Sequence, residues 1–274
     1  MSNVNTLRGA NIVAIIATLI MNSLSNSGIF PNTVGGLGDS RAIFFLPDGY
    51  VFGIWGVIYT LLIGFVIYQL RPVAAENGTV GRVGWWFVIS CIGNMTWLVL
   101  FLFNQVWLST IAMLVILGAL LMIYNRLQIG QRRVGWQQNW ASFVPFSIYL
   151  GWISVATIAN FSTALYETDF VQSFAGINAA VWAVLMIAVA AGLAITMLVM
   201  RRDVAYALVI VWASVGIYAR PFDTELYAVL ADLNASLVNV GALVAAVIVA
   251  VAALIVRGLQ FQQSSTRPQL SPAQ

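Results

Sequence analysis

The chain has 274 residues with 12 Lys+Arg, 9 Asp+Glu and no His, and every one of its cations is an arginine. Charged residues make up 8% of it and AVILMFWYC residues 61%, too little charge to cover a water-exposed surface, so it is an integral membrane protein. The absence of lysine and histidine excludes Schiff-base and P-loop chemistry, the Ser-His-Asp triad and His-held metal or haem, and the single Cys91 cannot form an internal disulfide or a thiolate cluster.

A helix crossing a bilayer needs about 20 mostly apolar residues, because lipid offers no partner to a free backbone group. Such runs predict eight spans, at 10–28, 50–70, 84–104, 106–126, 139–163, 174–200, 203–219 and 227–256, in an all-α polytopic membrane helix bundle. Residues 1–9 read as an N-terminal tail, with Arg8 ahead of an apolar first span. No small-x-small site follows that span, so it is expected to stay uncleaved. Residues 29–49 place Pro31, Gly35, Gly36, Gly38 and Pro47 around the apolar Ile43-Phe44-Phe45-Leu46. A loop that long and apolar is expected to fold back over the bundle.

On the second span Trp55 and Tyr59 are four apart and share a face. The stretch 71–83 reads as a short polar connector. On the third span Asn94, Trp97 and Phe101 share a face, and Asn104-Gln105 alone separates spans three and four, which predicts a tight hairpin. Trp107 follows that hairpin and could face either way. The fifth span aligns Tyr149, Trp152, Ala156 and Asn160. Trp85, Trp86, Trp136 and Trp140 fall at span ends, where interfacial aromatics are expected.

Span six repeats Ala175, Ala179 and Ala183, and span eight has Gly241 and Ala245, spacings that let helices approach closely. Arg201-Arg202-Asp203 and Arg220-Pro221 bracket span seven. Asp232, near Asn234 and Asn239, is a candidate polar site, since an acid in a membrane segment is a functional candidate by default. Its position near a helix start favours a hydrated carboxylate or a partner of Arg220 over a functional cavity. Residues 257–274, rich in Gln, Ser and Pro, read as a disordered tail.

Eight spans put Arg8, Arg71, Arg82, Arg126, Arg132, Arg133, Arg201, Arg202, Arg257 and Arg267 on one side, ten of twelve arginines, and seven of nine acids on the other. By the positive-inside rule both termini are expected to be cytoplasmic, and the plasma membrane of a bacterium is the expected location. Any single Asn or Trp is accounted for by interhelical packing. Three aromatic faces with amides within the first five spans point instead to one pocket, built as sites for hydrophobic ligands are built.

The segment Tyr149-Leu150-Gly151-Trp152, then Ala156-Thr157 and Asn160-Phe161, resembles the fifth-helix signature of the TspO/MBR family, which includes the tryptophan-rich sensory proteins and the mitochondrial translocator protein. Asn94-Met95-Thr96-Trp97 is similar to that family's N-x-x-W, and Tyr50 to Tyr59 to its W-V-x-G-x-x-W-G-x-L-Y, one residue shorter. The order holds over residues 10–163. That implies a five-helix unit followed by a three-helix extension at 174–256, which would pack on the unit in place of a dimer partner, a homodimer being the alternative. The family's W-x-P-P entering helix two is reduced to Leu46-Pro47-Asp48-Gly49, without the tryptophan that meets porphyrins. The fifth-helix proline is Ile148 here, and Leu165-Tyr166-Glu167-Thr168-Asp169 replaces the basic tail.

The resemblance implies a receptor or carrier for a hydrophobic, planar molecule such as a tetrapyrrole, sterol or other lipid, with Trp55, Tyr59, Trp97, Trp107, Tyr149 and Trp152 as stacking surface. Asn94 and Asn160 would supply hydrogen bonds, and Ala156 would set how near a ligand comes to the fifth helix. A porphyrin is the ligand it suggests. The expected partners are the bilayer and that small molecule, with no nucleic acid. A secondary transporter has few ionisable groups to couple through beyond Asp232. An enzyme acting on a tetrapyrrole would find no conventional acid, base or nucleophile in the interior.

Overall fold

The computed structural model describes residues 4–166, 178–222 and 235–265. Regular structure among the described residues is helical throughout. The long helices are α1 (Val4–Leu24), α2 (Ile54–Tyr68), α3 (Trp86–Leu102), α4 (Val106–Leu127), α5 (Val144–Tyr166), α6 (Ala179–Arg201), α7 (Val204–Ala219) and α8 (Ala235–Ser265). A 3₁₀ turn, Gly49–Gly53, leads into α2, and a π turn, Asn139–Phe143, leads into α5. Six of these stretches are long and apolar enough to cross a bilayer. The third and seventh predicted spans are α3 and α7, of 17 and 16 residues. At 1.5 Å per residue they reach about 25 Å, slightly short of a hydrocarbon core of about 30 Å.

Several boundaries differ from the sequence reading. The first helix begins at Val4, so residues 4–9 belong to it and not to a tail. Arg8 stays within the helix because its guanidinium donates to the carbonyls of Gln69 (2.7 Å) and Arg71 (3.0 Å), beyond the C-terminal end of α2. Helix α8 continues past residue 256 to Ser265, held where Gln260 Nε2 donates to the Arg202 carbonyl at 2.9 Å. Residues 257–265 are therefore helix rather than disordered tail. The connector 71–83 folds into two short helices, Pro72–Glu76 and Thr79–Val83, which bury Ala74, Val80 and Val83. The α3–α4 hairpin turns on Asn104, whose φ of 59° lies in the left-handed region that asparagine tolerates. Asp232 and Ala175 lie outside the described residues.

The interior is divided by chemistry. Helices α6 and α8 pack along small side chains: Ala180, Ala183, Ala190 and Ala194 on one, Ala242, Ala246 and Ala253 on the other, all buried. This register runs through Ala180 where the sequence pattern pointed to Ala179. Helix α7 lies on α5, and Gly151 makes that possible, since a Cβ there would stand 3.1 Å from the Tyr206 carbonyl oxygen and from Val209 Cβ. At one end Asp203 ties α4, α5 and α7 together: it accepts from Tyr124 (2.8 Å) and Ser147 (2.7 Å) and caps α7 through the Tyr206 amide (3.1 Å). Arg8, Arg71, Arg126, Arg201 and Arg202 gather at this end through backbone and amide contacts. Trp136 and Trp140 stand exposed there, as interfacial anchors do. The outer faces carry open aliphatic side chains such as Val13, Val199 and Leu254, as a lipid-facing surface should.

Candidate functional site

Helices α2, α3 and α5 each turn an aromatic face inward, and the half-buried Trp55 is where these faces meet. Its ring lies nearly parallel to Tyr59 (5.4 Å, 21°) and to Trp97 (6.2 Å, 27°). Tyr149 (6.0 Å, 68°) and Trp152 (6.2 Å, 86°) meet it edge-on. Trp97 continues the stack onto Phe101 at 5.6 Å, and Phe52 meets Trp152 edge-on at 5.8 Å. Helical spacing of three and four makes this convergence, because residues so placed lie one above another on each face. Offset and edge-to-face pairs of this kind add about 0.5–1.5 kcal/mol each beyond their buried area.

Two adjoining spaces border the stack. The outer is a chamber of about 480 Å³, within the size range of ligand sites, which Asn22, Asn26 and Asp39 make polar on one side while Trp55, Tyr59 and Trp97 wall the other. The inner is a narrow slot of about 50 Å³ lined by Phe52, Trp55, Trp97, Trp152, Ala156 and Asn160. Val34, Gly38, Leu46, Phe52, Trp55 and Trp97 border both, so slot and chamber are neighbours. Asp39 is the charged residue among these linings, and its partner is Arg220 at 3.3 Å.

The loop 29–49 closes this end. It contains a helix, Val34–Asp39, capped by Thr33, and it buries Ala42 through Leu46. Arg41, buried within it, donates to the Leu37 carbonyl at 2.7 Å and to Asn104 of the α3–α4 turn. Asn32 Nδ2 reaches the Leu102 carbonyl at 2.9 Å.

A second set of ties runs to α7 and the residues just beyond it. Arg220 donates to the Pro47 carbonyl at 3.1 Å, the Asp48 amide donates to Gly216 O at 3.0 Å, and Trp212 Nε1 donates to Val51 O at 3.1 Å. Tyr50 packs on Trp212 at 5.4 Å and Phe44 on Phe222 at 5.1 Å. The approach is so close at Gly216 that a Cβ there would sit 2.1 Å from Val51 Cγ2. The cap is thus held on one side by the α3–α4 turn and on the other by α7 and the residues just beyond it.

Of the residues singled out in the sequence, Trp55, Tyr59, Asn94, Trp97, Tyr149 and Trp152 come together, and Ala156 lines the slot. Two others are placed differently. Asn160 borders the slot, but its Oδ1 accepts from Trp97 Nε1 (3.0 Å) while its Nδ2 donates to Ser109 Oγ (3.0 Å) and Thr110 Oγ1 (2.7 Å). Its hydrogen-bonding capacity goes into clamping α3, α4 and α5 together, leaving little for a ligand. Trp107 stands outside, 45% exposed and edge-on to Phe161 at 6.2 Å, on the lipid-facing surface.

Asn94 differs from Asn160. Its Oδ1 accepts from Asn22 Nδ2 at 3.0 Å, but its Nδ2 has no partner. Asn22 and Phe52 were not singled out as site residues. A lone amide inside the first apolar span was the available signal for Asn22, since a polar group in a lipid-spanning helix faces the bundle interior. Nothing local marked the contact between the loop and α7.

A family model described as TSPO-like protein matches residues 8–255. The match therefore runs through the C-terminal helices, beyond the reach of the five-helix motifs. Neither a curated protein nor a solved structure matches the chain at a significant level.

Proposed function

The chain belongs to the TSPO-like family, as a multi-pass membrane protein of sensory or binding type, and on that premise we propose that it is a receptor or carrier for a hydrophobic, planar ligand. The ligand occupies the chamber and slot among α1, α2, α3 and α5, beneath the loop 29–49. One observation carries this reading: a continuous stack of Tyr59, Trp55 and Trp97 borders a ligand-sized chamber, and Phe101 continues it along the slot. Flat apolar molecules bind such a wall by ring contact, with a few polar groups fixing their orientation.

Binding is favoured over catalysis because the linings hold aromatic, aliphatic and amide groups, the hydroxyls of Ser23, Ser25, Tyr59 and Thr163, and a single, ion-paired acid. The arginine-rich end faces the cytoplasm of a bacterium in this reading, with both termini, and the capped end faces away from it. Titration of the purified protein with the neutral dimethyl ester of protoporphyrin tests the proposal through tryptophan fluorescence. Quenching should saturate, and Trp152→Ala should weaken the apparent affinity roughly 10-fold, as loss of a central aromatic anchor does. A linear, non-saturating response in the wild type would sink it.

A further inference from the structure

At the arginine-rich end the guanidiniums of Arg8, Arg71, Arg82, Arg126 and Arg201 donate to backbone carbonyls and side-chain amides, all of them neutral. The acids described at that end do not balance them. Asp203 is buried and taken up by Tyr124, Ser147 and the Tyr206 amide, and Glu76 forms an ion pair with none of the five. Among the described residues their charge therefore has no counter-charge from the chain. A guanidinium is also more than a point charge: its five N–H donors form a planar fork that matches a phosphate.

Arg126 is the best placed of these. It is exposed in the last turn of α4, where its Nη2 donates to the Gly81 carbonyl at 3.3 Å. Its Nη1 lies against Gly84, the residue before the exposed Trp85. One bond to a carbonyl leaves most of the fork unspent. Arg82, next to Gly81, folds back onto the Asn77 carbonyl at 3.4 Å. Farther into the bilayer, on the same face of α4 as Arg126, come Met122, Gly118, Val115 and Ile111, at steps of three and four and all exposed. A Cβ on Gly118 would meet nothing within 4 Å, so this stripe is notched in its middle. The α3 side of α4 is already occupied, with Ile116 Cγ1 only 2.9 Å from where a Gly93 Cβ would stand. A free fork, an interfacial tryptophan and a notched apolar stripe thus follow one another in the order headgroup, glycerol region, acyl chain.

We propose that this face binds one anionic phospholipid, its phosphate on Arg126 with Arg82 close by, and an acyl chain laid along Gly118. The face is separate from the aromatic cavity, since neither Gly118, Met122 nor Arg126 lines it. A second copy of this chain is the other occupant such a stripe could take. A two-fold axis along the bilayer normal would then bring the two Arg126 charges together, and α4 carries no acid to offset them.

Native mass spectrometry of the full chain, titrated with lipid in detergent, tests this through the affinity of the first bound lipid. The probes are phosphatidylglycerol and phosphatidylcholine with the same acyl chains, and glycerol phosphate as a headgroup without chains. The wild type should hold phosphatidylglycerol at least about 10-fold more tightly than either of the others. Arg126→Gln should weaken phosphatidylglycerol roughly 5-fold and phosphatidylcholine by less than about 2-fold. Arg126→Lys keeps the charge without the fork and should weaken phosphatidylglycerol roughly 2-fold. Gly118→Leu fills the notch and should weaken both lipids. Arg257, exposed at the same end and bonded to Gln260, is the control for diffuse surface charge. Arg257→Gln should stay within about 2-fold of the wild type. Thermal midpoints in lipid-free detergent verify that each variant is folded. Equal affinities for the two lipids in the wild type overturn the proposal, as does a loss in Arg257→Gln as large as in Arg126→Gln. Glycerol phosphate binding as tightly as the intact lipid overturns it as well. A dimer mass that Gly118→Leu abolishes overturns it too, and assigns the face to a second copy.

Discussion

The interior among α1–α5 and the interior between α6 and α8 are both built from apolar helices, yet they bury different things. The first buries Asn94, Ser109 and Asn160 with Trp97, Tyr149 and Trp152; the second buries a run of alanines. In a bilayer the hydrophobic effect does not distinguish these solutions, because lipid is as apolar as a leucine side chain. Close approach through small residues gives packing without polar cost, which suits a brace. Aromatic rings and amides leave gaps and unpaired donors, which suits a site. Helix α7 joins the two, packing on α5 through Gly151 and gripping the cap through Gly216 and Trp212.

Substitutions on either side of this division should have separable effects. Gly216→Ala is expected to be the most damaging, because its Cβ would fall 2.1 Å from Val51 Cγ2. Overpacking of that order costs about 1–3 kcal/mol. Both the thermal midpoint in detergent and the affinity for protoporphyrin dimethyl ester should fall, since the cap is pushed off the cavity. Asn160→Leu should cost about 2 kcal/mol of stability by leaving the buried Trp97 indole N–H without its acceptor, while Ser109 and Thr110 keep their bonds to the Val106 carbonyl. It should nevertheless leave the affinity for protoporphyrin dimethyl ester within about 3-fold of the wild type, which separates the clamping amide from the aromatic stack.

Arg220→Ala removes one tie to Pro47 and one to the exposed Asp39. A change of about 1 kcal/mol is expected, seen in stopped-flow measurements as a roughly 5-fold faster ligand release with little loss of stability. Trp107→Phe should be the smallest, leaving both binding and thermal midpoint within about 0.5 kcal/mol of the wild type, because the residue faces lipid. A binding defect in that variant larger than in Trp152→Phe would reverse the assignment of inside and outside on these helices.

Much of the helix arrangement is legible in the sequence, for a physical reason: in a chain so short of charge, arginines and turns bracket each apolar run. The faces of α2, α3 and α5 are legible too, because spacing of three and four is a local property of one helix. The start of α1 is not, since Arg8 looks like the end of a membrane segment until its guanidinium finds the carbonyls beyond α2. The role of Asn160 depends on Ser109 and Thr110 of another helix, and no pattern on α5 announces them. Trp107 follows a left-handed residue, Asn104, which resets the phase of α4 relative to α3 and turns the indole outward. The hold of α7 on the cap joins residues far apart in the chain, and Gly216 reads locally like any other membrane glycine.

Photolabelling with benzophenone, an uncharged aryl ketone that reacts readily at methionine, tests the central claim most directly. Met113 lines the slot and is fully buried, whereas Met122 and Met200 are exposed on the outer faces. The account predicts that peptide mass spectrometry finds a Met113 adduct that excess 9-fluorenone, a flat uncharged competitor, suppresses, with labelling of Met122 and Met200 unaffected by the competitor. Labelling confined to the outer methionines, with none at Met113 for fluorenone to suppress, would contradict it.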